Sequence, residues 1–287
     1  MKRKGTSFSE KRQINCGGKT LDLSTPAVMG VLNITPDSFY DGGKNTDFKS
    51  IENSLQEMSS EGAAIIDIGG ASTRPGAEEI SPEKEWERIE PVLRYCLKTY
   101  PDLIVSVDTY QSGVAEKALE AGVHIINDIS GGRFDEKMIP LVSQSDAAFI
   151  IMHIQGKPRD MQKNPYYQDV VQEITDFFQQ QISAFEKHGF DKLILDPGFG
   201  FGKTVDHNYT LLKNLKSLKS IGFPVLAGLS RKSMINKVLG TKPATALNGT
   251  SVANTIALLY GADILRVHDV REAVEAAKIV VKLKVEY

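Results

Sequence analysis

Short apolar segments of β-strand length alternate with amphipathic helical segments along most of the chain. Eight of the apolar segments end on or just before side chains that can do chemistry. These side chains belong to Asn33, the run 72–74, Asp108, Asn127 with Asp128, His153, Asp196, the run 230–232, and Arg266 with His268. Alternating strands and helices favour a parallel sheet, and eight repeats favour a closed (β/α)₈ TIM barrel over an open sheet. The strand ends of such a barrel converge on the face where active sites lie, so the pattern predicts an enzyme.

Helical periodicity predicts the elements between these strands. It covers 47–61, 82–99, 111–121, 134–144, 166–188, 208–220, 232–239 with 245–260, and 270–284. Ser81 followed by Pro82 is typical of a helix start, whereas Gly122 and Gly189 are typical of helix ends.

Other segments lie outside this repeat. Residues 14–26 predict a β-hairpin that turns at Gly17-Gly18 and covers the N-terminal mouth of the barrel. The loops 33–46 and 69–81 are long for a compact barrel, so we expect them to act as lids over the site. No linker or shift in composition divides the chain, which predicts a single domain over 1–287.

Composition narrows the class of protein. The chain has 287 residues, 41% hydrophobic and 24% charged, as in a globular protein with a large core. Its formal net charge of −2 argues against recruitment of nucleic acid or an anionic membrane, so any anion site must be local. Cys16 and Cys96 lack the spacing of a disulfide framework or zinc site, and no segment suits secretion or a membrane span. We therefore expect a cytoplasmic enzyme.

The glycine-rich run 196–204 does not match a nucleotide-binding motif. Pro197 stands where a Walker A loop needs glycine, and Lys203 stands where a GxGxxG fingerprint needs it. We interpret the run as a tight turn that lets Asp196 project into the barrel mouth.

Basic side chains at the ends of the last two strands indicate an anion site. The run 230–233 places two cations in an expected first helical turn, where they oppose the helix dipole, and either of its serines could cap that helix. Loops after strands seven and eight of such barrels commonly bind phosphate. Arg266 and His268 are two apart and should point to the same side. A solvated surface pair at 231–232 and a core histidine at His268 are the alternatives.

Asp108, Asn127 and Asp196 end predicted strands three, four and six. Carboxylate and amide groups together suit a heterocycle whose edge carries both donors and acceptors, such as a pterin or a purine. Each residue alone could be a satisfied structural group, whereas the three together favour ligand recognition.

Seven motifs, in order along the chain, resemble those of the dihydropteroate synthase family. They are Leu32 to Phe39 with Asp41-Gly42-Gly43, Ser72 to Gly76, Ser106 to Thr109, Ile126 to Asp128, Leu195 to Gly200, Ser230 to Ser233, and Arg266 to Asp269. The resemblance spans 27–284, and Ala71 is one departure, because many members carry glutamate there.

The resemblance implies a reaction of folate biosynthesis. In it, (7,8-dihydropterin-6-yl)methyl diphosphate condenses with 4-aminobenzoate to give 7,8-dihydropteroate and diphosphate, the step that sulfonamides block. It implies an SN1-like mechanism in which diphosphate leaves first, Mg²⁺ as cofactor, and a homodimer.

The resemblance also implies a role for individual residues. Those expected to bind the pterin ring are Asp108, Asn127, Asp196 and Lys232. Those expected to bind the diphosphate are Asn33, Thr73, Arg266 and His268, with Asn33 as the Mg²⁺ ligand. Those expected to bind 4-aminobenzoate are Phe39, Arg74, Pro75 and Ser233. The expected catalytic residues are Asn33, Asp108, Lys232, Arg266 and His268.

Three other functions stay open from the sequence. A Schiff-base aldolase would use Lys232 as its nucleophile. The pterin-binding barrel of a corrinoid methyltransferase would share the pterin pocket but would need no diphosphate site. A non-catalytic pterin-binding paralogue would keep the fold and the pocket without turnover.

Overall fold

Eight parallel strands form the predicted barrel in a computed structural model that describes residues 13–34, 44–72, 76 and 79–284. They are β3 (Ala27–Asn33), β4 (Ile65–Gly69), β5 (Ile104–Asp108), β6 (Ile125–Asp128), β7 (Ala148–Met152), β8 (Leu193–Asp196), β9 (Leu226–Ala227) and β10 (Ile264–Val267). Sequential strands pair from β3 to β8, and β10 pairs with both β3 and β9. A parallel bridge between Leu195 and Val225 joins the remaining edges, so the barrel is nearly closed.

The predicted N-terminal hairpin is confirmed. Strands β1 (Gln13–Cys16) and β2 (Lys19–Asp22) are antiparallel, with Gly17 at φ +56° and Gly18 at φ +84° in the turn. Positive φ at both central residues suits the turn that matches the strand twist, which is why glycines occupy it. Buried side chains of the hairpin pack against those inside the barrel, including Met29 and Ile65, so the hairpin covers the N-terminal mouth.

Helices surround the barrel at most of the predicted positions. They are α1 (Lys44–Glu61), α2 (Pro82–Thr99), α3 (Ser112–Glu120), α4 (Met138–Ser143), α5 (Val170–Glu186), α6 (Val205–Lys213), α7 (Leu215–Lys219), α8 (Ser233–Leu239), α9 (Leu247–Leu259) and α10 (Val270–Lys284). Ser81 caps α2 as predicted, since its side chain accepts the Lys84 N–H. None of the described helices is long and apolar enough to cross a bilayer.

Four predicted helices begin three or more residues away from their predicted starts. Helix α1 begins at Lys44 instead of 47. The helix predicted over 134–144 begins at Met138, because the Asp135 carboxylate accepts the N–H groups of Ser112 and Lys137. The helix predicted over 166–188 begins after Asp169, whose side chain caps α5. The segment 208–220 is two helices that break at Asn214, and the first begins earlier than predicted, at Val205. Side-chain caps at Asp169 and Thr204 therefore set the starts of α5 and α6 in place of the apolar period.

Candidate active site

The interior of the barrel changes from apolar to polar along the strand direction. Its lower layer is apolar and includes Met29, Ile65, Ile104, Ile125, Ile194 and Ile264. Because strand side chains alternate, the positions two residues further on also face the interior. These positions are Val31, Asp67, Ser106, Asn127, Asp196 and Arg266, and five of the six are polar. A polar site therefore lies above an apolar floor, toward the carboxyl ends of the strands.

Arg266 connects two carboxylates across this interior. Its Nε donates to Asp67 Oδ2 at 2.7 Å, and its Nη2 donates to Asp108 Oδ2 at 2.8 Å. Asn127 Nδ2 donates to the same Asp67 oxygen at 3.0 Å. Residues predicted to bind the pterin and the diphosphate are thus joined by one network, which places them at a single site.

The network changes the protonation of its members. Burial raises the pKa of Asp108 to about 7, Arg266 opposes the rise, and the Asp67 carboxylate adds to it. Burial acts to lower the pKa of Arg266, but the Asp67 and Asp108 carboxylates outweigh it and raise that pKa. Arg266 is therefore a permanent cation, whereas Asp108 changes charge close to neutral pH.

The interpretation of run 196–204 as a tight turn is confirmed. Asp196 is buried at the end of β8, and its Oδ1 accepts the Gly198 N–H at 2.7 Å. Gly198 has φ +68°, and a Cβ there would lie 1.9 Å from the His153 carbonyl oxygen, so the turn requires glycine. The buried Lys203 Nζ donates to the carbonyls of Gly198 at 2.9 Å and Phe201 at 3.0 Å, and these two bonds fix the shape of the turn.

Lys232 reaches the site because the residue before it adopts an unusual conformation. Arg231 has φ +58°, a left-handed conformation that is uncommon outside glycine. Its backbone N–H donates to Thr250 Oγ1 at 3.0 Å, and its guanidinium pairs with Asp269, which holds this conformation. The sequence alternative of a solvated pair at 231–232 is wrong, because Arg231 is ion-paired and Lys232 faces the site.

The ammonium group of Lys232 contacts the glycine-rich turn. Nζ donates to the Phe199 carbonyl and lies 4.7 Å from the Phe201 ring centroid. Burial lowers the pKa of Lys232 to about 8, and the nearby Asp196 carboxylate opposes this effect. Lys232 and Asp196 are thus close enough to influence each other across the barrel mouth.

His268 lies at the rim beside the same strands. Its Nδ1 is 2.9 Å from Ser230 Oγ, which also accepts the His268 backbone N–H at 3.2 Å. Burial lowers the pKa of His268 to about 4, and the cations Arg231 and Arg266 act in the same direction. The imidazole is therefore neutral at pH 7, and Nε2 is its donor in the tautomer whose Nδ1 accepts from the Ser230 hydroxyl.

Neither serine of run 230–233 caps the following helix, contrary to prediction. Lys232 occupies the cap position without a side-chain hydrogen bond, and Ser233 is an exposed residue at the start of α8. Ser230 instead orients His268. The alternative of a packed core histidine is also wrong, because His268 lies at the rim, where its imidazole is buried only in part and the residue keeps exposed surface.

Asn33 is the last residue of β3 and is exposed at the mouth. It is in register with Gly69 of β4, which in turn is in register with Asp108. A Cβ at Gly69 would lie 3.5 Å from Asn33 Oδ1 and 3.6 Å from Asp108 Cβ, so both residues border the same space. The other predicted ligand residues, Phe39 and the run 73–75, lie outside the described residues, as do most of the loop 33–46 and residues 77–78 of the loop 69–81.

Two buried charged residues that contact the site did not emerge from the sequence. Asp67 is completely buried within β4, and Lys203 is 3% exposed. A signal existed for Asp67, because charged residues inside a buried parallel strand are rarely without partners. Its partner Arg266 is 199 positions away, which the pattern of one strand cannot reveal. In the sequence, Lys203 stands out only as a mismatch to a nucleotide-binding motif.

Comparison with known proteins agrees with this site. Residues 29–268 match the family model described as pterin binding enzyme. The dihydropteroate synthase of Escherichia coli K12 is 43% identical over 265 residues, which cover 92% of this chain and 93% of that protein.

Solved structures extend the comparison to three dimensions. The dihydropteroate synthase of Yersinia pestis, solved with a sulfonamide drug, matches with a TM-score of 0.89 and 43% identity, over 95% of this chain and 99% of that one. The Xanthomonas albilineans enzyme with 4-aminobenzoic acid matches with a TM-score of 0.89 and 38% identity, over 96% and 99%. By sequence, by fold and by the polar groups at its barrel mouth, this chain belongs to the dihydropteroate synthase family of pterin-binding enzymes.

Proposed function

We propose that this chain joins (7,8-dihydropterin-6-yl)methyl diphosphate to 4-aminobenzoate, forming 7,8-dihydropteroate and diphosphate. The proposal rests on one observation: two kinds of polar side chain meet at the same mouth of the barrel. Carboxylate and amide side chains suit a pterin edge, while Lys232, Arg266 and His268 suit an anion beside it. A pterin-binding methyltransferase would not need the side chains that suit an anion.

The pterin ring would bind through Asp108, Asn127, Asp196 and Lys232. Asp196 keeps one carboxylate oxygen on Gly198 and offers the other to ring N–H groups. Asn127 uses its amide nitrogen on Asp67, so its oxygen is left to accept from the ligand. Lys232 would exchange the Phe199 carbonyl for an acceptor atom of the pterin.

The diphosphate would bind at the opposite side, through Asn33, Thr73, Arg266 and His268. Two nitrogens of the Arg266 guanidinium hold Asp67 and Asp108, and its other N–H groups can donate to phosphate oxygens. His268 would donate from Nε2 and take up a proton as the anion raises its pKa. The hydrogen bonds from Arg266 and the protonation of His268 both stabilise the negative charge that grows as the diphosphate leaves.

Asn33 fits the way proteins hold Mg²⁺. This ion usually takes one or two protein oxygens, while waters and substrate phosphates supply the rest. The described residues contain no cluster of three or more acidic, histidine or cysteine ligands, so a site completed by the diphosphate suits this barrel better than a cage of side chains. When bound, Mg²⁺ would neutralise the leaving diphosphate.

The reaction we propose is dissociative. The bond between the pterin methylene carbon and the diphosphate oxygen breaks first, and the electron pair leaves with the oxygen. The amine of 4-aminobenzoate then forms the new carbon–nitrogen bond and loses a proton. The acceptor would lie among Phe39, Arg74, Pro75 and Ser233, and sulfonamides would occupy its place. The two long loops would exclude water, which otherwise captures the cation.

Release of pyrophosphate tests the reaction. We expect the purified chain to release it only with the pterin diphosphate, 4-aminobenzoate and Mg²⁺ all present, in step with dihydropteroate formation. Absence of release would indicate the non-catalytic paralogue, and release that does not consume the amine would contradict the proposed transfer. Borohydride trapping of Lys232 on a carbonyl substrate would instead indicate the aldolase.

We also propose that the chain forms a homodimer through α8 and α9. Exposed apolar side chains lie along these adjacent helices: Val238, Leu239, Leu247, Val252 and Leu259, the first of them 60% exposed. Val252 and Leu259 are seven apart and share one face of α9. Apolar surface of this kind is typical of interfaces between subunits.

A charge on this surface tests the homodimer. We expect Val252→Glu to convert a dimer to a monomer in light scattering, because association would bury an unpaired carboxylate. Ile279→Glu on the exposed face of α10 is the control and should leave the mass unchanged. A wild-type monomer, or dissociation by the control alone, would contradict the α8–α9 interface.

A further inference from the structure

We propose that Asp67 is a positioning residue that aligns the two halves of the site with each other. The inference rests on the proposed function, because it takes Asn127 as a pterin ligand and Arg266 as a diphosphate ligand. Asp67 is not a member of any of the motifs that carry the family resemblance.

One oxygen atom of Asp67 holds both ligand residues. Oδ2 accepts from Arg266 Nε at 2.7 Å and from Asn127 Nδ2 at 3.0 Å. Asp67 is fully buried, and its backbone lies in the ladder between β3 and β5, so this oxygen has a fixed position. Two hydrogen bonds to one immobile atom fix the separation of the two donors.

A carboxylate at this position also orients each partner. It can only accept, so the Asn127 amide must present its nitrogen to Asp67 and keep its oxygen for a ligand. The Arg266 guanidinium is planar, and its bonds to Asp67 and Asp108 fix that plane. Ligand binding then needs less ordering of either side chain, which is how preorganised sites gain affinity.

Asp108 cannot replace Asp67 in this role. It accepts from Arg266, but in the described part of the chain the Asn127 side chain has a hydrogen bond to Asp67 and none to Asp108. Loss of Asp67 would therefore separate the pterin half from the diphosphate half, although Arg266 would keep one carboxylate.

Asp67→Ala is the direct test, measured on the full chain. It removes the oxygen that accepts from both Arg266 and Asn127, so both partners would lose their fixed orientation. Calorimetric titration uses 6-hydroxymethyl-7,8-dihydropterin for one half and inorganic pyrophosphate with Mg²⁺ for the other. We expect both dissociation constants to rise about tenfold or more, as when residues that orient a ligand-binding group are changed.

Double-mutant cycles separate positioning from a general structural effect. In a cycle with Asn127→Ala, the effect of Asp67→Ala on dihydropterin affinity should largely disappear, because the residue through which it acts is already gone. In a cycle with Arg266→Lys, the effect of Asp67→Ala on pyrophosphate affinity should shrink in the same way. Coupling in both cycles supports the inference. Additive effects in either cycle, or affinities within about twofold of wild type, overturn it.

Two controls keep the test decisive. Asp263→Ala removes a carboxylate that pairs with Lys219 at the opposite end of the barrel, so it should lower stability without changing either affinity. If Asp67→Ala does not fold, Asp67→Glu replaces it in both cycles, because the longer side chain keeps the charge but displaces the shared oxygen. A wild-type chain that binds neither probe would refute the proposed function too, whereas additive cycles in a wild type that binds both would refute this inference alone.

Discussion

Replacing Asp196 with asparagine should lower kcat/KM for the pterin diphosphate by about 10²–10³-fold, the usual cost of removing one preorganised contact. The amide oxygen can still accept the Gly198 N–H, so the turn should keep its shape. The amide nitrogen would take the place of the second carboxylate oxygen and turn a donor toward the N–H groups of the pterin. A donor facing a donor leaves both unpaired in a buried site.

Separate titrations locate this loss. Dihydropterin affinity should fall with Asp196→Asn, while the affinity for 4-aminobenzoate or a sulfonamide should change mainly with Phe39→Ala. Asp206→Asn makes the same chemical change on an exposed residue of the nearby α6 and should leave the kinetics at the wild-type level. Equal losses of both ligands in Asp196→Asn would contradict the division of the site.

Replacing Arg266 with methionine should lower the free energy of unfolding by about 3–5 kcal/mol, since it leaves buried carboxylates without their cation. Asp67 and Asp108 would then face each other across the interior, and no described residue would replace both hydrogen bonds. Arg94→Met is the control, because Arg94 and Glu90 form an exposed pair on α2 and should contribute little.

This destabilisation should depend on pH in a defined direction. Arg266 lowers the pKa of Asp108, which is about 7 in its presence, so that pKa rises further when the arginine is removed. A carboxyl with a raised pKa in the folded state costs stability as pH rises, because the unfolded chain is ionised while the folded chain holds its proton. Urea unfolding at about pH 6 and about pH 8.5 should therefore show the larger loss at the higher pH. An effect that is constant with pH would argue against the coupling of Arg266 and Asp108.

Most of the barrel could be predicted from the order of residues because its signals are local. Strands of a parallel sheet are covered on both faces and therefore appear as short, continuous apolar runs, such as 148–152 in β7. The last residue of each apolar run can also be recognised in the sequence. In a (β/α)₈ barrel the carboxyl ends of all strands lie on one face. This is why Asp108, Asn127 and Asp196 could be nominated together without knowledge of their contacts.

Helix ends were less predictable because they depend on competing hydrogen bonds. The apolar period of 208–220 continues through Asn214, where the backbone nevertheless breaks α6 from α7. Ser230 suited a cap by its residue type, yet its hydroxyl is used on His268. The preference of a residue type for a helix cap cannot show which of two hydrogen bonds its side chain makes when one partner is distant in the chain.

The sequence alone determined the alternation of strands and helices, the face on which chemistry occurs and the family motifs. The tertiary structure decided how these groups are held: the oxygen of Asp67 between Asn127 and Arg266, the Nζ of Lys203 on carbonyls of the glycine-rich turn, and the neutral state of His268. The physical reason is the distance along the chain over which each effect acts. Periodicity and capping act over a few residues, whereas burial, ion pairing and shifts in pKa depend on which distant side chains closure of the barrel brings together.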